Sequence, residues 1–300
     1  CFVVSSRRRA TPTTMSSGGF AARWTSAAVS SSSPTPEAAE KGDDGNDALN
    51  DDGADDRAAA EAAVVANLDA VRARIAAITA ERPAAADVTL VAVSKTKPLA
   101  LVAAAARAGQ RDFGENYVQE LHEKATAANE TDDPVAREVR WHFIGRIQSN
   151  KAKLLCGVPN LAAVHTVHSQ KIALALQRHW LDLRGPETPP LDVFVQVNTS
   201  GEEAKGGCEP DEAAALALVV KNECPNLRLV GLMCIGKYSG AEGDASPDFL
   251  VLRDCRAAAA DALGLDDAEL GLKLSMGMSH DFETAIEHGA THVRVGSTIF

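Results

Sequence analysis

Apolar residues near residue 60 recur at helical spacing. The positions that would form one face of an amphipathic helix, spaced by three or four residues, are Val64, Leu68, Val71, Ile75 and Ile78. Pro83 follows them and predicts the end of this helix. We therefore expect an extra N-terminal helix that packs one face against the rest of the folded chain.

Eight short apolar segments with strand-like character follow this helix, separated by Ala- and Leu-rich segments typical of helices. The predicted strands are 88–95, 112–116, 141–145, 162–167, 192–199, 227–235, 270–277 and 292–298. The predicted helices between them include 99–108, 117–128, 168–183, 210–223 and 247–263. Alternating strands and helices indicate a parallel sheet, and eight such strands favour a single α/β domain folded as a (β/α)8 TIM-type barrel.

An open, doubly wound sheet is the alternative fold, but the glycine fingerprint that such a sheet uses to bind a dinucleotide is absent from the sequence. The chain ends at Phe300, directly after the eighth predicted strand, where a barrel normally continues into an eighth helix. We therefore expect the barrel domain, assigned to 57–300, to be truncated at its C-terminus.

The first 56 residues differ in composition from the barrel. Segment 1–36 contains four arginines and nine serines and no acidic residue, which is typical of the transit peptides of mitochondria and plastids. Segment 37–56 contains nine acidic residues and one lysine and has little to bury, so it is predicted to be a disordered linker. We therefore expect an intracellular protein. Import into a mitochondrion or a plastid is one expectation, and a cytoplasmic location is the alternative.

Composition and charge narrow the possible functions. The net charge of −11 argues against nonspecific nucleic-acid binding, which needs a basic surface. No apolar run reaches the roughly 18 residues that a membrane-spanning helix needs. The six cysteines have neither C-x-x-C nor zinc-finger spacing, and His165 and His168 would point to opposite faces of one strand, so no metal site is predicted.

The first predicted strand ends in a lysine. Val91, Val93 and Lys95 share one parity, so Lys95 would lie at the mouth of the barrel if the two valines face its interior. The carboxyl ends of the strands carry the reactive groups of barrel enzymes. A lysine there can form a Schiff base with an aldehyde, although a solvated lysine at a strand end is the more common case.

The last two strands place further polar groups at the same rim. On the eighth strand Arg294 would point into the mouth, where a buried arginine needs an acceptor, and Gly296 and Ser297 follow it. The seventh strand ends near Ser275 and Ser279. Barrels often bind phosphate at the loops after strands seven and eight. A phosphorylated aldehyde with a ring acceptor, such as pyridoxal 5′-phosphate (PLP), would satisfy the amine, the arginine and the serine-glycine loop together.

Six segments, in order along residues 60–300, resemble the pyridoxal phosphate homeostasis proteins, single-domain relatives of the alanine racemase barrel. They are VAVSKTKP (91–98), FGENYVQE (113–120), WHFIGRIQSNK (141–151), VQVNTSGEEAKGG (195–207), GLMCIG (231–236) and LSMGMSHDFETAIEHGATHVRVGSTIF (274–300). The glycine and the arginine-containing tail that the family carries after this last segment are absent, and the N-terminal extension is not part of the family pattern.

The resemblance implies that Lys95 holds PLP as an aldimine, that Arg294 faces the pyridine nitrogen, and that Ser279, Gly296 and Ser297 contact the phosphate. Three further residues are expected in the mouth from their positions at strand ends. They are Asn116 after strand two, Met233 near the end of strand six, where core packing is the alternative, and Ser275 on strand seven.

Arg294 also bears on whether the protein is an enzyme. Arginine only donates hydrogen bonds, so a pyridine nitrogen facing it is an unprotonated acceptor and the ring is a weaker electron sink. A racemase needs a second acid or base across the ring. The chain has two tyrosines, Tyr117 and Tyr238, and no room for a second domain. The sequence favours a non-catalytic monomer that buffers PLP and supplies it to apoenzymes, and the alternative is a PLP-dependent, racemase-like enzyme acting on amino acids.

Overall fold

The computed structural model describes residues 52–81, 88–237, 247–265 and 271–300. The predicted transit-peptide-like segment 1–36 and most of the predicted linker lie outside the described residues, as does Tyr238. The linker prediction extended to residue 56, whereas the first helix already begins at Asp52. Acidic residues such as Asp55 and Asp56 interact favourably with the N-terminal end of a helix dipole, so an acidic stretch is compatible with a helix start.

Eight parallel strands form a closed barrel in which each strand pairs with its sequence neighbours and the eighth pairs with the first. This confirms the predicted fold. The strands are β1 (Thr89–Val93), β2 (Asp112–Glu115), β3 (Arg140–Phe143), β4 (Leu161–Val167), β5 (Leu191–Val197), β6 (Leu227–Cys234), β7 (Lys273–Ser275) and β8 (His292–Val295). All eight predicted strands are present, and most are shorter at their carboxyl ends than predicted.

Helices follow the strands and cover the outside of the barrel. The described helices are α1 (Asp52–Glu81), α2 (Leu99–Arg107), α3 (Val118–Glu130), α4 (Pro134–Arg137), α5 (Ala152–Cys156), α6 (Gln170–Arg184), α7 (Ala213–Glu223), α8 (Pro247–Leu263) and α9 (Phe282–Glu287). Short 3-10 turns lie at Ser149–Lys151, Glu203–Lys205 and Pro210–Glu212.

The extra N-terminal helix packs against α2 and α9, as its apolar face predicted. Val64, Leu68 and Val71 are buried in the main hydrophobic core. At the helix surface, Arg74 forms a two-pronged ion pair with Glu283 of α9 at 2.7 and 2.8 Å. Helix α1 is therefore an integral part of the barrel's outer layer.

Strand parity separates the outer core from the barrel interior. On β1, Leu90 and Ala92 belong to the core between sheet and helices, while Val93 faces the cavity at the barrel mouth. On β8, Val293 and Val295 likewise pack outward. Because β8 pairs with β1, with Val91 opposite Arg294, the residues after these two strands emerge side by side at the carboxyl end.

Five cysteines fall within the described residues, and all are buried and unpaired: Cys156, Cys208, Cys224, Cys234 and Cys255. Burial raises the pKa of the Cys156, Cys208 and Cys234 thiols to about 12. Among the described residues, no helix is both long and apolar enough to cross a membrane.

Candidate functional site

A cavity of about 390 Å³ opens at the carboxyl end of the barrel. Its lining includes seven of the eight residues that the sequence placed there, namely Lys95, Asn116, Met233, Ser279, Arg294, Gly296 and Ser297. The eighth, Ser275, is fully buried directly behind Arg294 and bonds to it. The strand ends therefore bring an amine, a guanidinium and a serine-glycine loop to one cavity.

Five further lining residues were not among the predicted site residues: Val93, which strand parity had turned to the barrel interior, and Ile144, Ile235, Met278 and His280. Ile144 shares its parity with the interior residue His142, and Ile235 shares its parity with Met233. The same alternation that identified Arg294 could have found both. Met278 and His280 lie in an irregular loop where no periodic signal exists.

Lys95 follows β1 in a tight turn. The turn spans 94–97 and is closed by a hydrogen bond from the Lys97 amide to the Ser94 carbonyl at 3.0 Å. Thr96 has a φ of 63°, a left-handed conformation that a β-branched residue rarely adopts and that costs about 1–3 kcal/mol. The Lys95 side chain is exposed at the cavity mouth rather than buried, so access to it from solvent is open.

Arg294 is only 4% exposed and points from β8 into the cavity. Its guanidinium donates to the Ser275 hydroxyl at 2.7 Å and to the Cys234 carbonyl at 2.8 Å. Burial lowers the pKa of Arg294 from its usual value. Two neutral acceptors fix the guanidinium plane without neutralising its charge, so it can donate to a further acceptor in the cavity.

A chain of buried hydrogen bonds runs from Arg294 back through the barrel interior. Ser275 Oγ lies 2.9 Å from His165 Nδ1, and His165 Nε2 lies 2.9 Å from His142 Nδ1. His142 Nε2 then lies 2.8 Å from Asp112 Oδ1, which is near the opposite end of the barrel. We refer to these five residues as the polar relay.

Donor chemistry orders the polar relay in one direction. Arginine can only donate, so Ser275 accepts from Arg294 and directs its own proton toward His165 Nδ1. Burial lowers the pKa of His165 well below its ordinary value, with smaller contributions from His142, His292 and Arg294, so the ring carries one proton. Because Nδ1 accepts from Ser275, that proton is on Nε2, which donates to His142. His142 in turn donates to Asp112. Burial raises the pKa of Asp112, but hydrogen bonds from His142 and Arg140 outweigh burial and leave it lowered.

The loops after β7 and β8 place Ser279, Gly296 and Ser297 along the cavity, and we call these three residues the serine-glycine cradle. Ser279 Oγ accepts a hydrogen bond from the Gly296 amide at 3.1 Å. A Cβ at Gly296 would lie 3.2 Å from both Val93 Cβ and the Val93 carbonyl, so the loop packs tightly against β1. At Gly277, with a φ of 91°, a Cβ would lie 2.5 Å from Ala285 Cβ. Glycine is therefore needed at position 277, both for its conformation and for space.

Three other polar residues, Tyr117, His168 and Lys205, are absent from the cavity lining. Tyr117 is 57% exposed at the start of α3 and is absent from the cavity lining. Lys205 Nζ bonds to the Gly236 carbonyl at 2.9 Å and pairs with Glu202. His168 Nδ1 faces the Thr166 carbonyl. Within the part of the chain that the structure describes, no group of His, Cys, Asp or Glu side chains is arranged to hold a metal ion.

Comparison with known proteins gives consistent matches. The family described as the alanine racemase N-terminal domain matches residues 66–300. The pyridoxal phosphate homeostasis protein of Mus musculus is 45% identical over 245 residues, covering 80% of this chain and 87% of that protein. The protein of the same name from Pseudomonas aeruginosa is 46% identical over 232 residues, covering 77% of this chain and 91% of that protein.

One of the similar solved structures contains PLP. PipY of Synechococcus elongatus, in a structure with PLP bound, is 29% identical with a TM-score of 0.59, covering 79% of this chain and 99% of that one. The same protein without PLP is 31% identical with a TM-score of 0.64 and the same coverage.

Proposed function

Because the chain belongs to the pyridoxal phosphate homeostasis proteins, a family built on the alanine racemase N-terminal domain, we propose that it binds PLP in the cavity at the barrel mouth. In this role it takes part in PLP homeostasis by holding the cofactor and releasing it to apoenzymes. The amine, the guanidinium and the serine-glycine cradle all belong to one copy of the chain, which supports a monomer as the functional unit.

One observation carries the proposal: Lys95, Arg294 and the Ser279–Gly296 cradle line a single cavity. An amine, a buried guanidinium and a loop able to bind an anion match the three functional groups of PLP, namely its aldehyde, its ring nitrogen and its phosphate. The volume of about 390 Å³ lies within the range of roughly 300–1,000 Å³ that is usual for small-molecule sites.

An unsatisfied polar atom in the cavity supports the fit. Asn116 Oδ1 is buried and has no hydrogen-bond partner among the described residues. A buried polar atom without a partner is costly, and a ligand hydroxyl or N–H group would satisfy it. The ring of PLP carries such a hydroxyl.

The residue roles follow from these positions. Lys95 would anchor the aldehyde through a Schiff base, with loss of water, and Arg294 would donate to the ring nitrogen. Ser279, Gly296 and Ser297 would hold the phosphate. Met233, which is fully buried in a small cluster with Ala163 and Phe194 beneath the cavity, would pack against the ring.

Arg294 favours holding the cofactor over catalysis. When bound, PLP supplies an aldehyde and an electron-accepting ring, and the ring accepts electrons best when its nitrogen is protonated. An arginine that already donates to Ser275 and Cys234 can only donate to that nitrogen, so it leaves the nitrogen unprotonated. The polar relay fixes this arrangement.

A racemase-like activity on amino acids is the second candidate, and His280 is the observation that favours it. His280 lines the cavity together with Lys95, so two groups able to exchange protons face the same space. Racemisation would need one such group on each side of the substrate carbon.

The test of PLP binding compares Lys95→Ala with Lys97→Ala, which removes the same charge two residues away. Lys97 Nζ bonds to the Phe300 carbonyl at 2.5 Å and is absent from the cavity lining. We expect wild type and Lys97→Ala to develop a visible absorption band with PLP, and borohydride to fix the cofactor to the peptide containing Lys95. Lys95→Ala should show neither. A band that persists in Lys95→Ala would refute the anchor.

A second assay separates the two candidate functions. The loaded protein is incubated with an apoenzyme and, separately, with single enantiomers of amino acids. Activation of the apoenzyme without loss of optical purity supports the holding function. Racemisation faster than that by free PLP, and abolished by His280→Asn, supports the enzyme.

A further inference from the structure

The turn that carries Lys95 adopts a conformation that its own sequence disfavours. Thr96 occupies the third position of the turn at 94–97 with a φ of 63°. Turns with positive φ at this position select glycine or asparagine, because a Cβ crowds the backbone there, and a β-branched residue is the least suited. Something outside the turn must therefore hold it.

A carboxylate from α3 binds the amide of that residue. Glu120 Oε1 accepts a hydrogen bond from the Thr96 N–H at 2.5 Å. The Lys124 ammonium lies 2.8 Å from the same oxygen and also donates to the Ser94 carbonyl at 2.9 Å. The two α3 side chains thus hold the backbone on both sides of Lys95.

A second carboxylate, that of Glu115, contacts both Lys124 and Ser94. Glu115 Oε1 lies 2.6 Å from Lys124 Nζ and accepts a hydrogen bond from the Ser94 hydroxyl at 2.7 Å. Glu115 is fully buried and the Lys124 side chain is 8% exposed. We call Glu115, Glu120 and Lys124 the turn clamp.

The turn clamp is a costly arrangement for holding a surface turn. Removing an ammonium and a carboxylate from water is unfavourable even when they are paired. Here burial raises the pKa of Glu115 although Lys124 and Ser94 act to lower it. Strained backbone persists where the surroundings over-determine it, and such positions cluster at functional sites. The residue that this turn presents is Lys95.

We propose that Glu120, supported by Lys124 and Glu115, is a positioning residue that holds the strained turn so that the Lys95 amine faces the cavity. The proposal rests on the proposed function, because it assumes that Lys95 reacts with the aldehyde of PLP. Glu120 contacts the backbone next to Lys95 and the Lys124 ammonium but does not line the cavity, so it takes no part in bond formation.

The test compares the rate of band formation in a variant that loses the Glu120 contact with the rates in variants that keep the contact or no longer need it. In Glu120→Ala the Thr96 amide loses its acceptor, and we expect the visible band to form about tenfold more slowly, the effect of losing one hydrogen bond to a charged group. Glu120→Gln keeps an acceptor oxygen and should retain most of the wild-type rate. Adding Thr96→Gly to Glu120→Ala should restore the rate, because glycine adopts positive φ without outside help.

The outcomes separate this proposal from the proposed function. If wild type forms no band with PLP, PLP anchoring has failed and the turn clamp has no role in it. If wild type forms the band and Glu120→Ala forms it equally fast, the positioning role is overturned. It is also overturned if Thr96→Gly fails to rescue, because the defect would then not arise in the turn. Thermal melting checks that each variant is folded. Should Glu120→Ala not fold, Glu120→Asp keeps the charge beside Lys124 but shortens the reach to Thr96, and it carries the same expectations.

Discussion

Arg294 determines the protonation of residues that it does not touch. Because a guanidinium has no acceptor, the Ser275 hydroxyl proton is directed to His165, and each later member of the polar relay has a fixed direction. A second proton on His165 would leave the proton of the fully buried Ser275 hydroxyl without its acceptor and would add a cation close to Arg294. The relay is thus stable in one tautomeric state, with its negative charge at Asp112.

This ordering predicts the tautomer of His165. We expect its Nδ1 to be unprotonated and its Nε2 to carry the proton at neutral pH, as measured by nitrogen-15 chemical shifts, with His165→Gln used to assign the signal. An imidazolium, or a proton on Nδ1, would contradict the direction of the relay.

The sequence could predict the end of the relay that meets the cavity but not its middle. Strand parity alone brought Lys95 and Arg294 to one rim. Spacing along the chain relates His165 only to His168, whereas its hydrogen-bond partners in the structure are His142 and Ser275 on other strands. A contact between strands depends on the register around the barrel, which no single segment encodes.

At the scale of elements, alternation between apolar strands and helices was enough to predict a closed barrel, but strand ends were placed too late. Predicted strand seven ran from 270 to 277, whereas β7 covers Lys273–Ser275. Gly277 lies beyond the strand with a φ of 91°, and the loop turns there to form the cradle. Lys95, Gly296 and Ser297 likewise follow their strands in loops, so sequence patterns that include them overestimate the length of the strand.

Helix α1 is predicted to contribute to the stability of the whole barrel. Leu68 lies on α1 and is fully buried in the main hydrophobic core, so Leu68→Ala should lower the free energy of unfolding by about 2–5 kcal/mol. Leu183→Ala makes the same truncation on α6 at a side chain that is 43% exposed, and it should change that free energy by no more than about 0.5 kcal/mol. Urea denaturation measures the free energy of unfolding of both variants. A loss for Leu68→Ala as small as that for Leu183→Ala would show that α1 is only loosely attached.

For the molecule as a whole, buried histidines make stability depend on pH. His292 packs against His142, His165 and Phe194 inside the barrel. Burial lowers its pKa from 6.5 to about 3, helped by His142, Lys273 and Arg294 and opposed by Asp112. Between pH 6.5 and about 3 the unfolded chain therefore binds a proton at His292 that the folded state does not bind. The resulting stability is complete above pH 6.5 and is lost as pH falls toward 3.

We expect the free energy of unfolding to fall by about 3 kcal/mol from this histidine between neutral pH and about pH 4. His292→Asn should show a shallower decline in urea denaturation across that range, whatever its stability at neutral pH. His122→Asn, on the partly exposed surface of α3, should follow the wild-type curve. Parallel curves for wild type and His292→Asn would contradict the assignment.

The buried cysteines have a consequence for a protein that stores an electrophile. Aldehydes react with thiolates as well as with amines, so a protein that holds a reactive aldehyde must not expose a thiolate to it. In the described part of the chain every thiol is buried, and three have a pKa of about 12, which keeps them in the unreactive protonated form. None of these cysteines lines the cavity, so none of them competes with the Lys95 amine for the aldehyde in the proposed site.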